Sequence, residues 1–407
     1  MTRTLDDEYA RFVHEAWSDP RPFLARLREA HPVYRTPFGY WFVTGFEEAD
    51  RIYKDSARWS RRPVVLAAPH PLVAKQGPTK TFFAENLLAL DGVEHQRMRG
   101  VLNAVFTTAG VSRLRGTIAA TVGRLLDRVQ DRHRMDFVID FSRPLPTTVI
   151  LDIFAIDHGE YPRFLDVAHT VMECFESLGT DVAAPDLIAR ADAAIGSCAG
   201  YVQAVADQRR GGAGDDLLSR LVRAQDAEPD RLSASEFSTM LMHLVAAGFE
   251  TTAGTAVNVI YTLLCHPDQL DLLRRDRSLV RSAVEEVLRY EPGVAVSAPM
   301  YALVDHEVDG AEICRGDQLI ISSYGANHDP AVFDDPHRFD VTRSPNRQIA
   351  FGRGRHACVG APLARLELEL MLEAILDRLP TLELLTEKPE WRRSHVLRQF
   401  DSLQVRW

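Results

Sequence analysis

Lysine is nearly missing from this chain of 407 residues. Lys54, Lys75, Lys80 and Lys388 are the only ones, so the basic charge is almost wholly arginine's. The balance is acidic, with 47 Lys and Arg against 57 Asp and Glu and a net charge of −10. That argues against a nucleic-acid binder. C-x-x-C pairs are absent. The cysteines are odd in number and scattered, at Cys174, Cys198, Cys265, Cys314 and Cys358, which excludes a disulfide framework and a cysteine-rich zinc site. A reduced compartment with at most one working thiol is expected. No run of 18 or more apolar residues occurs, and Met1 to Pro20 lacks an apolar signal region, so a cytoplasmic protein without a membrane anchor is expected. Repeats and low-complexity segments are lacking too.

What is present is ordinary globular material. Hydrophobic residues make up 46% of the chain, enough for a sizeable core and too many for disorder. At roughly 150 residues per domain, the length allows two or three domains or one large one. Residues 31–60 alternate apolar and polar around Gly39 and Gly45, which predicts a short antiparallel hairpin followed by a helix over Phe46–Lys54. Residues 61–90 read as a loop. From about 94 to 225 the pattern is helical, with breaks at Arg143 to Pro146, Ala184-Pro185 and Gly211 to Gly214. A long helix starts near Ser233, where Ser233 and Glu236 form a capping box, and runs to Cys265 before Pro267. At 1.5 Å per residue it is a rod of roughly 45 Å that must cross the middle of a domain. Another helix is expected over about 278–290. Short strands follow at Val294–Ala302, Glu307–Val308 and Gln318–Ser322, then an irregular stretch over 329–349. A helix over Ala361 to Leu379 and a terminal hairpin complete the chain. The fold class is mainly α with small β-sheets.

Four cysteines sit among helix or strand formers and read as small core hydrophobes. Cys358 differs. Its setting is Phe351-Gly352-Arg353-Gly354-Arg355-His356-Ala357-Cys358-Val359-Gly360. Three glycines in so short a span allow left-handed backbone and close approach of a flat ligand. A helix begins just after the cysteine and aims its positive end at the sulfur. With Arg353, Arg355 and His356 nearby, thiolate is favoured over thiol. Such a thiolate is either a nucleophile or a metal ligand.

This loop resembles the haem-binding loop of the cytochrome P-450 family, and the rest of the chain from about residue 15 to Trp407 follows in order. The resemblance implies one haem domain over residues 1–407, a triangular helical prism around a buried haem b, with Cys358 as axial thiolate. A thiolate ligand favours O–O cleavage by pushing electron density to the iron. Phe351, Gly352, His356 and Gly360 belong to the same haem-binding loop. His95 and Arg99, one helical turn apart, are assigned with His356 to the haem propionates, a task suited to charge-assisted hydrogen bonds. Glu286 and Arg289, at i,i+3, match the family's structural ion pair, and Arg338 matches its third member. Ala247, Gly248, Glu250 and Thr251 match the oxygen-binding stretch of the long helix. An acid in a buried apolar helix is costly unless paired or wet, which alone favours a functional reading. Thr251 is positioned to bond a carbonyl one turn back and open a water-sized gap, and Gly248 leaves room for a diatomic ligand. Glu250 and Thr251 are the expected proton relay to bound dioxygen.

By the same positional carry-over the substrate pocket is lined by Phe82, Phe83, Leu87, His243, Ala246, Ala247, Ala295, Val296, Ser297, Val396 and Leu397. Most are apolar, which suits a largely hydrophobic substrate. His243 is either a satisfied core histidine or a partner for a polar substrate group. Met300 stands where the family usually has a propionate-binding Arg. His328 also replaces a common Arg. Insertion of oxygen into a secondary metabolite by hydroxylation or epoxidation is the expected activity. The alternative in the same fold is an oxidase that forms a C–C, C–N or C–S bond without inserting oxygen. No flavin or nicotinamide domain fits in the length. Electrons are therefore expected from a ferredoxin or flavodoxin type donor with its reductase, landing near Arg347, Arg353 and Arg355.

Overall fold

The computed structural model describes residues 4–15, 18–62, 76–103, 106–177, 186–214, 216–227, 232–386 and 388–407. Helices dominate and the sheets are small, as the sequence pattern predicts. The chain forms two compact units. The first comprises residues 1–59, 118–145 and 251–407, the second residues 60–117 and 146–250.

The first unit is built on a five-stranded sheet. Its order is Val33–Arg35, Trp41–Val43, Gln318–Ile321, Met300–Ala302 and Trp59–Ser60. Val33 pairs with Val43 and Tyr34 with Phe42 in the expected antiparallel hairpin, while Phe42 pairs in parallel with Ile320. Successive side chains leave a strand on opposite faces. Thus Val33, Val43 and Leu319 join Phe46, Met300 and Phe333 in one core, whereas Tyr34, Phe42 and Ile320 join Tyr9, Phe23 and Tyr324 in another. Both faces are buried, so the strands are apolar at nearly every position. Gln404–Arg406 pairs antiparallel with Glu383–Leu384 and with Arg134–Asp136 in a second sheet.

Two stretches differ from expectation here. Of 294–302, only Met300–Ala302 is a strand; Val294 and Val296 make isolated bridges, to Leu397 and Ser322. Pro292 and Pro299 remove donors from this run, which limits continuous pairing. Pro267 does end the long helix, but it also opens a new one, Pro267–Arg275, where proline's fixed φ and missing N–H suit the first turn. The helices Phe46–Lys54, Val280–Tyr290 and Ala361–Arg378 lie within a residue or two of their predicted ranges.

The second unit is helical. Tyr161–Ser177 packs along Leu187–Arg209. The stretch read as a loop over 61–90 holds a helix, Pro78–Glu85, started by Pro78 and fixed by the Thr79 N–H donating to the Asp192 carboxylate at 2.8 Å. Residues 63–75 and the predicted break at Ala184-Pro185 lie outside the described residues.

The long helix is Ala234–Cys265, 32 residues, with no break at the acid and the hydroxyls. Its capping box forms as predicted: Ser233 N–H donates to Glu236 at 2.9 Å and Glu236 N–H to Ser233 Oγ at 3.1 Å. Glu236 also receives Arg97 Nη1 at 3.2 Å, so one carboxylate caps the helix and ties it to the helix Gly92–Asn103. Among the described residues no helix is long and apolar enough to cross a membrane.

Candidate active site

The cysteines separate by burial. Cys174 and Cys198 are buried, and burial pushes both thiols up to about 12. They are inert thiols in the core, as expected. Cys265 and Cys314 are exposed, which corrects their reading as core hydrophobes. Cys265 ends the long helix and Cys314 follows the strand Ala311–Ile313, each at a point where the chain returns to solvent.

Cys358 is exposed as well, on the loop that leads into Ala361–Arg378. Its N–H donates to the Phe351 carbonyl at 2.9 Å, which closes the loop. Gly352 and Gly354 have φ of +63° and +68°, a conformation that side chains disfavour. A Cβ on Gly354 would strike the Tyr53 carbonyl, and a Cβ on Gly360 would sit 3.8 Å from the Cys358 sulfur. The glycines thus keep backbone close to the sulfur and leave its outer side open. Phe351 is covered by the Arg365 guanidinium, 4.5 Å from the ring centroid. No group of three or more His, Cys, Asp or Glu among the described residues could hold a metal ion. The donor set is one soft cysteine sulfur at a helix N-terminus, which fits a metal whose remaining ligands come from an organic macrocycle.

The ion pair at the centre of the Glu286 network is fully buried. Arg289 and Glu286 have 0% side-chain exposure and make two parallel bonds, Nε to Oε2 at 2.9 Å and Nη2 to Oε1 at 2.8 Å. The guanidinium's other protons go to the carbonyls of Asn327, Pro336 and Arg338 at 3.1, 2.8 and 3.0 Å. Glu286 further accepts from Asn346 Nδ2 and from the Asp340 N–H, both at 3.1 Å. The second arginine on Glu286 is Arg343, at 3.2 Å. This corrects the assignment of Arg338, whose side chain is 63% exposed and reaches only Asp340. Arg338 contributes its carbonyl instead. Sequence order alone did not choose between two arginines five positions apart in an irregular stretch.

On the long helix, Glu250 is 4% exposed and faces His169, with Nε2 3.3 Å from Oε1. His169 lies on Tyr161–Ser177, and its ring is 5.8 Å from that of Phe249. Sequence reasoning missed it; a lone histidine 81 positions from its partner carries no local signal. Gly248 is not open space. The Ile150 Cδ1 methyl occupies the place a Cβ would take, 2.5 Å from it. The room predicted at Gly248 is therefore filled by a side chain. The Thr251 carbonyl accepts from Thr255 Oγ1 at 2.7 Å, one turn on.

His95 is 2% exposed on Gly92–Asn103, with half-buried Arg99 one turn on and reaching Asn103 at 3.2 Å. His356 is half-buried in the turn Gly354–His356. In the second unit, Phe82, Phe83, Leu87, His243 and Ala246 are buried, and Ala247 is half-buried. Phe82 packs on Phe83 and stands 6.2 Å from the His243 ring. Burial alone lowers His243 to about 4, so the ring is neutral, and its Nδ1 has no hydrogen-bond partner. In the first unit, the Ala295 N–H donates to the Val396 carbonyl at 2.8 Å, and Val294 bridges Leu397. Ala295 and Val296 belong to the core with Tyr9 and Phe42, and Ser297 gives its hydroxyl to the Ala298 carbonyl.

Met300, at the position of the expected arginine, is 5% exposed in the sheet core. His328 is stacked on Tyr324, with Nδ1 2.9 Å from the Tyr324 carbonyl, and burial holds it well below the usual histidine range. The basic patch is narrower than the sequence suggests. Arg353 pairs with Asp50 at 3.3 Å and the exposed Arg347 with Glu47 at 3.7 Å, while Arg355 is exposed as well.

Comparison with known proteins agrees with this geometry. Residues 72–399 match the family model for Cytochrome P450. The chain is 36% identical to 6-deoxyerythronolide B hydroxylase of Saccharopolyspora erythraea over 94% of each chain. It is 34% identical to the monooxygenase PikC of Streptomyces venezuelae, over 96% of this chain and 91% of the relative. Among solved structures, the myxobacterial CYP267B1 in complex with myristic acid superposes with a TM-score of 0.88 at 31% identity, covering 98% of both chains.

Proposed function

This chain belongs to the cytochrome P450 family and is a haem-thiolate monooxygenase, and from that premise we propose that it hydroxylates or epoxidises a sizeable, mostly apolar secondary metabolite that carries a hydrogen-bonding oxygen. The names of relatives such as mycinamicin IV hydroxylase/epoxidase and the polyketide biosynthesis cytochrome P450 PksS support this class. The observation that carries it is His243. A neutral imidazole with an unpartnered Nδ1, buried beside Phe82 and Phe83, is costly without a guest, because an unmet buried polar atom costs about 1–3 kcal/mol. A hydroxyl or ketone on the substrate removes that cost. His243 lies seven residues before Glu250, about 10 Å along the helix axis.

When bound, haem b supplies dioxygen binding and its reductive activation. Cys358 would hold the iron, and His95, Arg99 and His356 would hold the haem carboxylates, since all three are donors that are cationic or can become so. Glu250 and Thr251 would hold and pass protons. Phe82, Phe83, Leu87 and Ala246 exclude water and present an apolar wall. Electrons would come from a ferredoxin or flavodoxin type protein with its reductase, docking around Arg355 in the cytoplasm. Met300 offers no charge, so one haem carboxylate would be held without the usual arginine.

The test is ligand titration of the purified red protein, followed by the iron spin state and then product mass. Candidate oxygen-bearing polyketides that shift the spin state and gain one oxygen support the reading. A product lighter by two hydrogens would favour a coupling oxidase. Failure to form the thiolate-type carbon monoxide band would refute haem-thiolate chemistry.

A further inference from the structure

We propose that His169 is the positioning and proton-exchange residue for Glu250, the means by which this monooxygenase connects a buried acid to bulk water. The proposal rests on the haem-thiolate reading above and adds a residue to it. Glu250 has 4% side-chain exposure and His169 has 40%, with Nε2 and Oε1 3.3 Å apart. The carboxylate alone has little contact with solvent, while the imidazole touches both the acid and water. An imidazole ordinarily gains and loses a proton near neutral pH, so it can take one from water and hand it on at the pH where the enzyme works.

Carboxylates flank the ring on its own helix. By helical spacing Asp166 and Glu173 lie one turn either side of His169 on its own helix. Glu173 is held by Arg190 of the neighbouring helix Leu187–Arg209 at 2.7 Å. From the long helix the facing groups among the described residues are Glu250 and the Phe249 ring, 5.8 Å from the imidazole. Phe249 covers one side of the ring, which keeps the pair from being a mobile surface contact.

Monooxygenation consumes protons: substrate C–H, O2, two electrons from the external one-electron donor and two protons give C–OH and water. In each delivery Glu250 gives up its proton toward the dioxygen site and is left as carboxylate. His169 then donates its Nε2 proton to Oε1 and recovers one from water. No atom is left unaccounted for, and the ring returns neutral or charged according to the solvent pH.

The experiment compares the parent with His169→Gln and His169→Lys. Gln keeps a polar side chain that does not titrate near neutrality; Lys keeps the positive charge without a neutral-range proton. Folding is checked by thermal unfolding, and substrate affinity by the spin-state titration. Both are expected to match the parent. Product formed per electron pair is then measured from pH 5.5 to 8.5 in light and heavy water. The expected result is a three- to tenfold loss of coupling in H169Q, with more peroxide released, and loss in both variants of the neutral-pH limb of the parent profile. Turnover driven by hydrogen peroxide, which brings its own protons and electrons, is expected to be unchanged. An unaltered pH profile of coupling in H169Q overturns the proposal, as does an equal loss in peroxide-driven turnover, which would show a structural role. A parent lacking the thiolate-type carbon monoxide band would overturn the monooxygenase reading itself, a separate outcome read before any variant.

Discussion

Arg343 places Nε 3.2 Å from Glu286 Oε1 with only 12% of its side chain exposed, while Arg338 leaves the same carboxylate and lies 63% exposed. Removing one member of a buried, hydrogen-bonded charge network strands its partners, at a cost of about 3–5 kcal/mol. Arg343→Ala is therefore expected to lower the unfolding midpoint sharply, and Arg338→Ala to change stability by less than about 0.5 kcal/mol. Denaturant titration of both variants checks this; equal losses would return the role to Arg338.

For His243 the expectation is a change in binding rather than in folding. His243→Phe removes the unpartnered nitrogen, so the free protein is as stable as the parent or slightly more so. Its affinity for an oxygen-bearing substrate should fall by about five- to thirtyfold, the equivalent of one buried hydrogen bond. The spin-state titration reads this, with a deoxygenated substrate analogue as control. That analogue should bind the parent and H243F alike.

Stability should depend on pH from both sides. Burial lowers His243 and His395 from 6.5 to about 4. Between those values the unfolded chain binds protons that the folded chain does not. Their contribution is complete above about 6.5 and is lost as the pH falls toward 4. Glu367 runs the other way. Buried, with Oε2 lacking a partner, it is raised from 4.5 to about 8, so its contribution is complete below 4.5 and is lost as the pH rises through 8. Glu367→Gln should remove the alkaline loss, a few kcal/mol at pH 8, and move the pH of greatest stability upward. Melting curves of parent and variant at pH 5, 7 and 8 decide the matter; parallel curves would contradict it.

Thiol chemistry should follow burial. In the haem-free chain iodoacetamide is expected to label Cys358, Cys265 and Cys314, but not Cys174 or Cys198, whose burial holds them as thiols. Haem should protect Cys358 alone. Cys358→Ser should abolish the thiolate-type carbon monoxide band, and Cys265→Ser should leave it. Peptide mapping by mass spectrometry reads the labelling.

Gly354→Ala tests the loop without touching the sulfur. The residue has φ of +68°, and its Cβ would meet the Tyr53 carbonyl, so backbone must move. A cost of about 1–3 kcal/mol and weaker haem retention are expected. Haem loss to an excess of apomyoglobin measures the retention.

The sequence was most legible where function is written in consecutive residues. The loop from Phe351 to Gly360, the capping box at Ser233 and Glu236, and the length of the central helix could all be read because each depends on neighbours in the chain. Partners far apart in sequence were not legible. His169 and Glu250 meet only through the packing of two helices, and choosing Arg343 over Arg338 required knowing which way an irregular stretch turns. Cys265 and Cys314 look apolar in context because they end a helix and follow a strand, and only the fold shows that those ends face solvent. The helix Pro78–Glu85 was hidden by the proline and small residues that also start it.

The contact between Gly248 and Ile150 has a consequence for how this sequence can drift. The Ile150 Cδ1 methyl takes the space beside Gly248 that a Cβ would need, 2.5 Å away. Neither position can change freely while the other stays as it is. An alanine at 248 makes the Ile150 side chain turn aside or shorten, and a shorter residue at 150 alone leaves a hole beside the helix. The two sites should therefore behave as one inherited unit, each permissive only in the background the other sets. A library randomised at both positions should return survivors that conserve their summed volume.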